Sequence, residues 1–482
     1  MASVKKNFFY NLLLTGSNYI FPLITYPYTS RVLGVTNIGI CNFVDSIICY
    51  FMLFSMLGIG SYGVREIARC NNDRIKRDEV FTNLFVFHVI TTVIGLLILW
   101  VCIFTISKLS PYRPFLLIGS VNLVFSLFHT NWFFQGISDF KFITIRSLIL
   151  RIISVILLFV FVRDKSDTLN YYSLACLTTV LTAIINWKYG RQYRKIIFSQ
   201  IHLKRYIYPV FVFGIYLILT SAYTTFNTVF LGFCAGDTEV GYFATATKLY
   251  TILLSALTAF TTVMVPKVSE LMKKGNKDYI QSLLTDILSL VVIFSIPIVV
   301  FCNFFAEEII LIIAGEGYMG AVAPFKIVIF LLIVIGFEQI IIQQFLMASQ
   351  SYNSILWISL IGALVGISLN CILTPTWASV GSSLSWGISE FCVLMTGLYF
   401  LHRVVHVQMD FLVVVKKFAH FVYYILPLVF VSYIDTNMWI KFFISSILVL
   451  LIFMFINLLV EKNRFVVSLA NKISPGFNVH EK

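Results

Sequence analysis

The chain has 482 residues, of which 59% are hydrophobic and only 12% charged, with 47 Phe, 24 Tyr and a mean hydropathy of +0.91. A water-soluble domain could not bury so much apolar surface, so the composition excludes one and points to an integral membrane protein. The formal charge of +13 does not imply a nucleic-acid partner, because the basic residues sit in alternate connections and not on one folded face.

Apolar runs of roughly 17–25 residues number about fourteen along the chain. They are centred near residues 21, 50, 93, 125, 155, 178, 219, 254, 291, 334, 364, 391, 426 and 450. The first carries Asn11, Thr15, Asn18, Thr25 and Thr29 at helical spacing, with Pro22 in the same series, and closes on Arg31. The second holds Asn42, Asp45, Ser46 and Cys49 near one end, and Arg65 follows it. In the fourth, His129 with Asn131 and Gln135 reads as a hydrogen-bonded packing group, while Arg151 marks a boundary of the fifth. Between halves lies the densest basic cluster, Lys188, Arg191, Arg194, Lys195, Lys204 and Arg205, which reads as a membrane-surface linker suited to anionic headgroups. The seventh run presents Tyr216, Thr220, Tyr223, Thr224 and Asn227, and the eighth Thr245, Lys248, Thr251, Ser255, Thr258 and Thr262. Glu338 stands beside Gln339, Gln343 and Gln344 in the tenth, and Glu390 near the middle of the twelfth. The predicted divisions are a helical bundle over 1–187, a linker over 188–206, a second bundle over 207–401, and a further helix pair with a tail over 402–482.

Polar residues in lipid carry the functional information because burying them there costs free energy. A Lys at mid-membrane costs roughly 2.5–3.5 kcal/mol even on the lenient scale, so Lys248 should face water or a counter-charge. Its alternative is to snorkel to the nearby outer interface, since it lies only about two turns from Asp237 and Glu239, and Arg31 could snorkel more easily still. Asp45 is expected to pair with a cation or bind a coupling ion, with Glu390 and Glu338 as further candidates for coupling or gating. Any one Ser or Thr could simply bond back to its own helix. Four polar stripes on equivalent helices instead suggest a hydrated cavity.

The halves also resemble each other. Leu33-Gly34 followed by Gly39 parallels Leu231-Gly232 followed by Gly241; setting Gly39 on Gly241 brings Asp45 to within one position of Lys248 and Arg65 opposite Lys267. Duplicated halves in a transporter place substrate at their shared interface. Lys and Arg resist translocation, and with the N-terminus inside, 26 of them fall in cytoplasmic segments against six outside, so both termini are expected in the cytoplasm. No cleavable signal peptide is expected at the start. Nine scattered Cys without a C-x-x-C pair give no sign of a disulfide framework or a metal site. No nucleotide-binding, serine-hydrolase or metalloprotease motif is present, so no enzymatic activity and no cofactor is expected.

The segment Asn11–Gly34 resembles the opening of Wzx-type polysaccharide flippases. So do Tyr62-Gly-Val-Arg65-Glu66-Ile-Ala-Arg69, Gly241-Tyr-Phe-Ala-Thr-Ala-Thr-Lys248, Pro266-Lys267, and Gly381 with Glu390. The ordered set covers nearly the whole chain. It implies an all-α integral membrane protein of the MOP superfamily, MATE-like, with two six-helix bundles related by a parallel pseudo-repeat, an added C-terminal helix pair, and alternating access around a central cavity. The implied substrate is an oligosaccharide repeat unit on undecaprenyl pyrophosphate, moved to the outer leaflet of a bacterial inner membrane for surface polysaccharide such as O-antigen or capsule. Lys248 and Arg31 are then candidates for the pyrophosphate, with Asn18, Thr25, Thr29, Asn227, Thr245 and Ser255 offering hydrogen bonds to sugar hydroxyls. Asp45, Glu390, Glu338 and Arg65 are candidates for coupling or gating. Membrane lipids, proton or sodium coupling and a polysaccharide polymerase complex are expected partners, and nucleic acid is not. The alternatives are a cation-coupled multidrug exporter of the MATE type and a membrane glycan polymerase or ligase.

Overall fold

The computed structural model describes residues 4–70, 73–274, 277–349, 351–407 and 409–460. The tail from 461 onward, counted above as cytoplasmic, lies outside them, as do the side chains of Thr262, Pro266 and Lys267. Every regular element among the described residues is helical. That is the form an apolar chain takes in lipid, where each backbone N–H and C=O must be satisfied within its own segment.

The first half comprises α1 (Val4–Leu33), α2 (Val35–Met56), α3 (Ile59–Arg69), α4 (Arg74–Thr105), α5 (Arg113–Ser126), α6 (Asn131–Gly136), α7 (Phe140–Phe161) and α8 (Thr168–Gly190). The second comprises α9 (Lys204–Thr224), α10 (Phe226–Ala235), α11 (Asp237–Lys274), α12 (Lys277–Phe304), α13 (Ala306–Ile313), α14 (Val322–Val328), α15 (Leu331–Glu338) and α16 (Tyr352–Phe400). Three shorter helices follow, α17 (Phe411–Phe418), α18 (Phe421–Ser432) and α19 (Met438–Phe455), and α17 and α18 pack on α12. Phe430, Leu426, Phe443 and Leu450 on the last two remain exposed, as lipid-facing residues should.

Local chemistry sets the starts of several helices. Asp73 caps α4 by accepting from the amides of Ile75 and Lys76, both at 3.1 Å, and Asp139, Asp410 and Asn437 do the same for α7, α17 and α19. Among the described residues eleven helices are long and apolar enough to cross a membrane, or twelve if the bent pair Glu316–Val328 and Leu331–Leu346 is one span, against about fourteen expected. Two features bear on the difference. α1 is 30 residues long but absent from the apolar set because polar residues interrupt it, and Tyr352–Val405 counts once although Ala378, at φ 48°, interrupts its helical backbone.

The repeat register needs one correction. Gly34 and Gly236, at φ +79° and +87°, break the chain before α2 and α11, each five residues ahead of Gly39 and Gly241. Positive φ is cheap only for glycine, so these two are the true counterparts. Gly232 lies one turn earlier, inside α10, where it packs against the Phe43 ring.

Candidate functional site

The two halves meet along α2 and α11, which pack more extensively than any other helix pair. At the Gly34 end the crossing is backbone on backbone: a Cβ at Gly39 would lie 2.6 Å from the carbonyl carbon of Asp237, and one at Gly241 would lie 3.0 Å from the carbonyl carbon of Val35. Thr36 and Thr238, equivalent positions of the repeat, join hydroxyls at 3.0 Å. Tyr112 donates to Asp237 (2.7 Å) and Lys108 to the Phe233 carbonyl (2.9 Å), extending the seal. Near the opposite end the Gly58 amide donates to the Val210 carbonyl (3.2 Å), Tyr62 meets Tyr206 and Phe213, and Arg65 lies over the Phe213 ring at 5.5 Å. Contacts between halves therefore exist at both ends.

Between these contacts lie two polar recesses that share Thr224 and Trp386. One, of about 330 Å³, is lined by Asn42, Asp45, Ser46, Thr225, Thr228 and Thr247. The other, of about 290 Å³, is lined by Tyr216, Tyr223, Tyr250, Thr251, Gln339, Glu338 and Glu390. Lys248 sits on α11 with its ammonium 4.3 Å from the Tyr26 ring centroid, a cation–π arrangement, and the Tyr26 hydroxyl bonds Thr245 at 2.6 Å. Among the described residues Asp45 and Lys248 form no ion pair, with each other or with another residue. Neither Asp237 nor Glu239 pairs with Lys248: the first accepts a hydrogen bond from the Tyr112 hydroxyl, and the second accepts from the Ser379 amide (3.1 Å) and hydroxyl (2.5 Å) beside the Ala378 break.

Glu338 and Glu390 line the same recess, both buried, and Trp386 donates its indole N–H to Glu390 at 2.8 Å. Glu338 ends α15 where the chain passes into a π-helical turn, Gln339–Leu346, a distortion frequent at functional sites. No Lys, Arg or His lines this recess. Neither its pairing nor Trp386 was legible in the sequence, because contact between α15 and α16 leaves no periodic signal.

Other predicted residues fall elsewhere. Arg31 is exposed and spends its guanidinium on the Pro27 and Ile313 carbonyls (2.8 and 3.2 Å) and on Leu311 and Ile312 at the end of α13; it fastens the halves at the Gly34 end and does not reach the recesses. This departs from the expected pyrophosphate role, since free carbonyls at a helix C-terminus are strong acceptors for a cation. Asn227 is wholly buried in a chain running through Asn370 (2.5 Å) and Thr374 to Ser382, outside the recesses. Asn18 accepts from Arg151 within the first half. Thr25, Thr29 and Ser255 bond back to their own helices through Phe21, Tyr26 and Ile252 carbonyls. All nine cysteines are free, and among the described residues no cluster of three or more His, Cys, Asp or Glu is placed to hold a metal.

A family model described as polysaccharide biosynthesis protein matches residues 4–272. Two relatives, each named "Putative O-antigen transporter", come from Escherichia coli (strain K12) and Shigella dysenteriae. Both are 26% identical to this chain over 56% of its length, and the matched part spans 66% and 68% of theirs. Among solved structures, lipid II flippase MurJ in its inward closed conformation superposes with a TM-score of 0.79 at 14% identity, covering 97% of this chain and 99% of that one. An inward-facing multidrug resistance MATE family transporter of the MOP superfamily gives 0.61 at 14% identity over 84% and 96%. Likeness at that identity is likeness of fold. The family match covers more than half of the chain, which therefore belongs to the polysaccharide biosynthesis protein family and shares its helical fold with those two structures.

Proposed function

We propose that the chain is a flippase that moves undecaprenyl-pyrophosphate-linked oligosaccharide repeat units from the cytoplasmic to the periplasmic leaflet by alternating access, with the Gly34 end outward and the termini inside. The observation that carries this reading is the seal between repeat-equivalent residues, Thr36 on Thr238 and Gly39 beside Gly241, above polar recesses walled in part by Thr247 and Thr251, the α11 neighbours of Lys248. Such a seal can part at one end while the Gly58 contact holds at the other, which is the minimum alternating access requires. Lys248 serves the pyrophosphate, since a weakly solvated cation attracts phosphate oxygens strongly. The groove lined by Leu23, Leu249, Leu253, Phe294, Phe301 and Phe453, about 520 Å³ and almost wholly apolar, suits the polyprenyl chain. Two buried carboxylates in one recess with no cation beside them repel when both are ionised, which favours a shared proton, and the Glu338–Glu390 pair is assigned to proton coupling.

Lys248→Ala tests the reading: surface polysaccharide should disappear at normal protein level while lipid-linked repeat units accumulate in the inner leaflet. Normal export would remove Lys248 from the mechanism. A second reading, cation-coupled drug export, draws on the acidic and aromatic lining around Glu338, Glu390, Tyr216, Tyr223, Tyr250 and Trp386. It predicts that deletion sensitises cells to lipophilic cations and leaves surface polysaccharide intact.

A further inference from the structure

The first half contains a cavity of about 300 Å³ that none of the preceding roles uses. It lies between α1, α6, α7 and α8, away from the seam between halves, and its charged walls are Arg146 and Arg151. Arg146 is only 6% exposed, yet its partners are all neutral: Asn131 (3.1 Å), Asn186 and Ser147 (2.9 Å), with Nε unpartnered. Arg151 bonds Asn18, also neutral. His129 is the other titratable group in the lining, and no carboxylate lines the cavity. In the adjoining crevice Asp139 is occupied by the Tyr189 hydroxyl (2.9 Å) and the Phe142 amide (3.2 Å), and Lys141 adds a further positive charge. Neither arginine forms an ion pair among the described residues. A buried guanidinium normally has a counter-charge, because leaving it uncompensated is costly.

We infer that this cavity is a second anion site, built to take a phosphate or pyrophosphate group. Two planar guanidinium forks, with Asn18, Gln135 and Thr182 around them, suit a tetrahedral oxyanion better than a carboxylate-poor packing core. The same chemistry belongs to the head of a polyprenyl pyrophosphate and to a phospholipid headgroup. The site goes beyond the central-cavity reading and stands whether or not Lys248 contacts substrate.

The test is calorimetric titration of the purified full-length protein with inorganic pyrophosphate, performed on Lys248→Ala so that the central cavity does not contribute. Binding should persist there and weaken roughly tenfold or more when Arg151→Gln or Arg146→Gln is added, the equivalent of one charge-assisted hydrogen bond. Arg151 is the more exposed of the two, so its variant carries the test if Arg146→Gln misfolds. No binding to Lys248→Ala, or binding unaffected by Arg151→Gln, would overturn the inference. Native mass spectrometry separates the two sources. A phospholipid that copurifies with Lys248→Ala and is lost with Arg151→Gln identifies a headgroup; a short-chain prenyl pyrophosphate retained on the same pattern identifies the substrate class. Because no transport is measured, export failing in Lys248→Ala cells and this site failing are separate results.

Discussion

Replacing Gly39 by alanine places a methyl group 2.6 Å from the carbonyl carbon of Asp237 and 3.0 Å from the Gly241 amide nitrogen, and closer still to the Asp237 oxygen. All three are backbone atoms, so no rotamer change relieves the overlap. Ordinary contact begins at 3.4 Å, so α2 and α11 must part by at least about 0.8 Å at their crossing. Overpacking of this kind costs about 1–3 kcal/mol. Since the cost falls only on the conformation closed at the Gly34 end, it should shift the equilibrium toward the open one by roughly 5- to 150-fold.

The readout is oxidative cross-linking of Thr36→Cys with Thr238→Cys, whose parent hydroxyls are 3.0 Å apart, in a background freed of the nine native cysteines. Gly39→Ala should reduce the yield and expose a cysteine placed at Thr247, on the recess wall, to a membrane-impermeant thiol reagent from outside. Gly16→Ala is the control, because an added Cβ there meets nothing within 4 Å. If Gly39→Ala folds normally and leaves both readouts unchanged, the α2–α11 crossing is a static joint and alternating access through it is refuted.

Four further outcomes follow from the same contacts. Arg31→Gln should loosen the outer seal by releasing the carbonyls at the end of α13, raising outside labelling at Thr247→Cys without abolishing export; loss of substrate binding alone would return Arg31 to the cavity. Glu390→Gln should leave substrate binding intact but make transport in proteoliposomes insensitive to an imposed pH gradient, and a retained proton response would exclude the pair from coupling. Asn227→Ala should cost about 1–3 kcal/mol through the stranded Asn370 amide, read as a lower melting temperature with unchanged affinity for substrate. The Asp73 carboxyl is held below the usual carboxylate range chiefly by the Lys76 amide, so its capping of α4 is complete above the unfolded value of about 3.9 and lost as pH falls through the folded one. Amide exchange at Ile75 and Lys76 should therefore accelerate only at strongly acid pH, and acceleration near neutrality would refute the cap.

Lys248, Asp45 and the Gly39/Gly241 pair were legible in the sequence because each is an exception within an apolar run, and exceptions survive without knowledge of which faces meet. The Ser and Thr stripes were legible as stripes, but not that Thr25, Thr220, Thr224, Thr251, Ser255 and Thr258 all donate their hydroxyl protons to carbonyls of their own helix, which leaves them to face a ligand as acceptors. Periodicity reports a shared face and is silent on whether a hydroxyl is already satisfied. Pairings across helices were hidden for another reason. Glu338 with Glu390, and Arg146 with Asn131 and Asn186, join residues many positions apart, and only the packing of α15 on α16 and of α7 on α8 brings them together.

The repeat also organises charge. An offset of 202 residues carries Gly34 to Gly236, Thr36 to Thr238 and Gly39 to Gly241, so backbone symmetry is kept where the halves touch. Inside the halves it is broken: the cavity within the first is lined by two arginines and no carboxylate, the recess on the second by two carboxylates and no Lys, Arg or His. Had both signs shared one cavity, they would have neutralised each other as ion pairs and bound nothing strongly. Held apart, each remains a site. On the proposed reading an anionic lipid head is drawn toward Arg146, Arg151 and Lys248 while a proton is taken at Glu338 and Glu390, so cargo and driving ion do not compete for one position. Their coupling then runs through the seam of α2 and α11, which α1 and α8 of the arginine cavity touch and whose α11 also lines the carboxylate recess, and by reciprocity whatever free energy protonation contributes to parting that seam is the free energy by which cargo binding changes proton affinity.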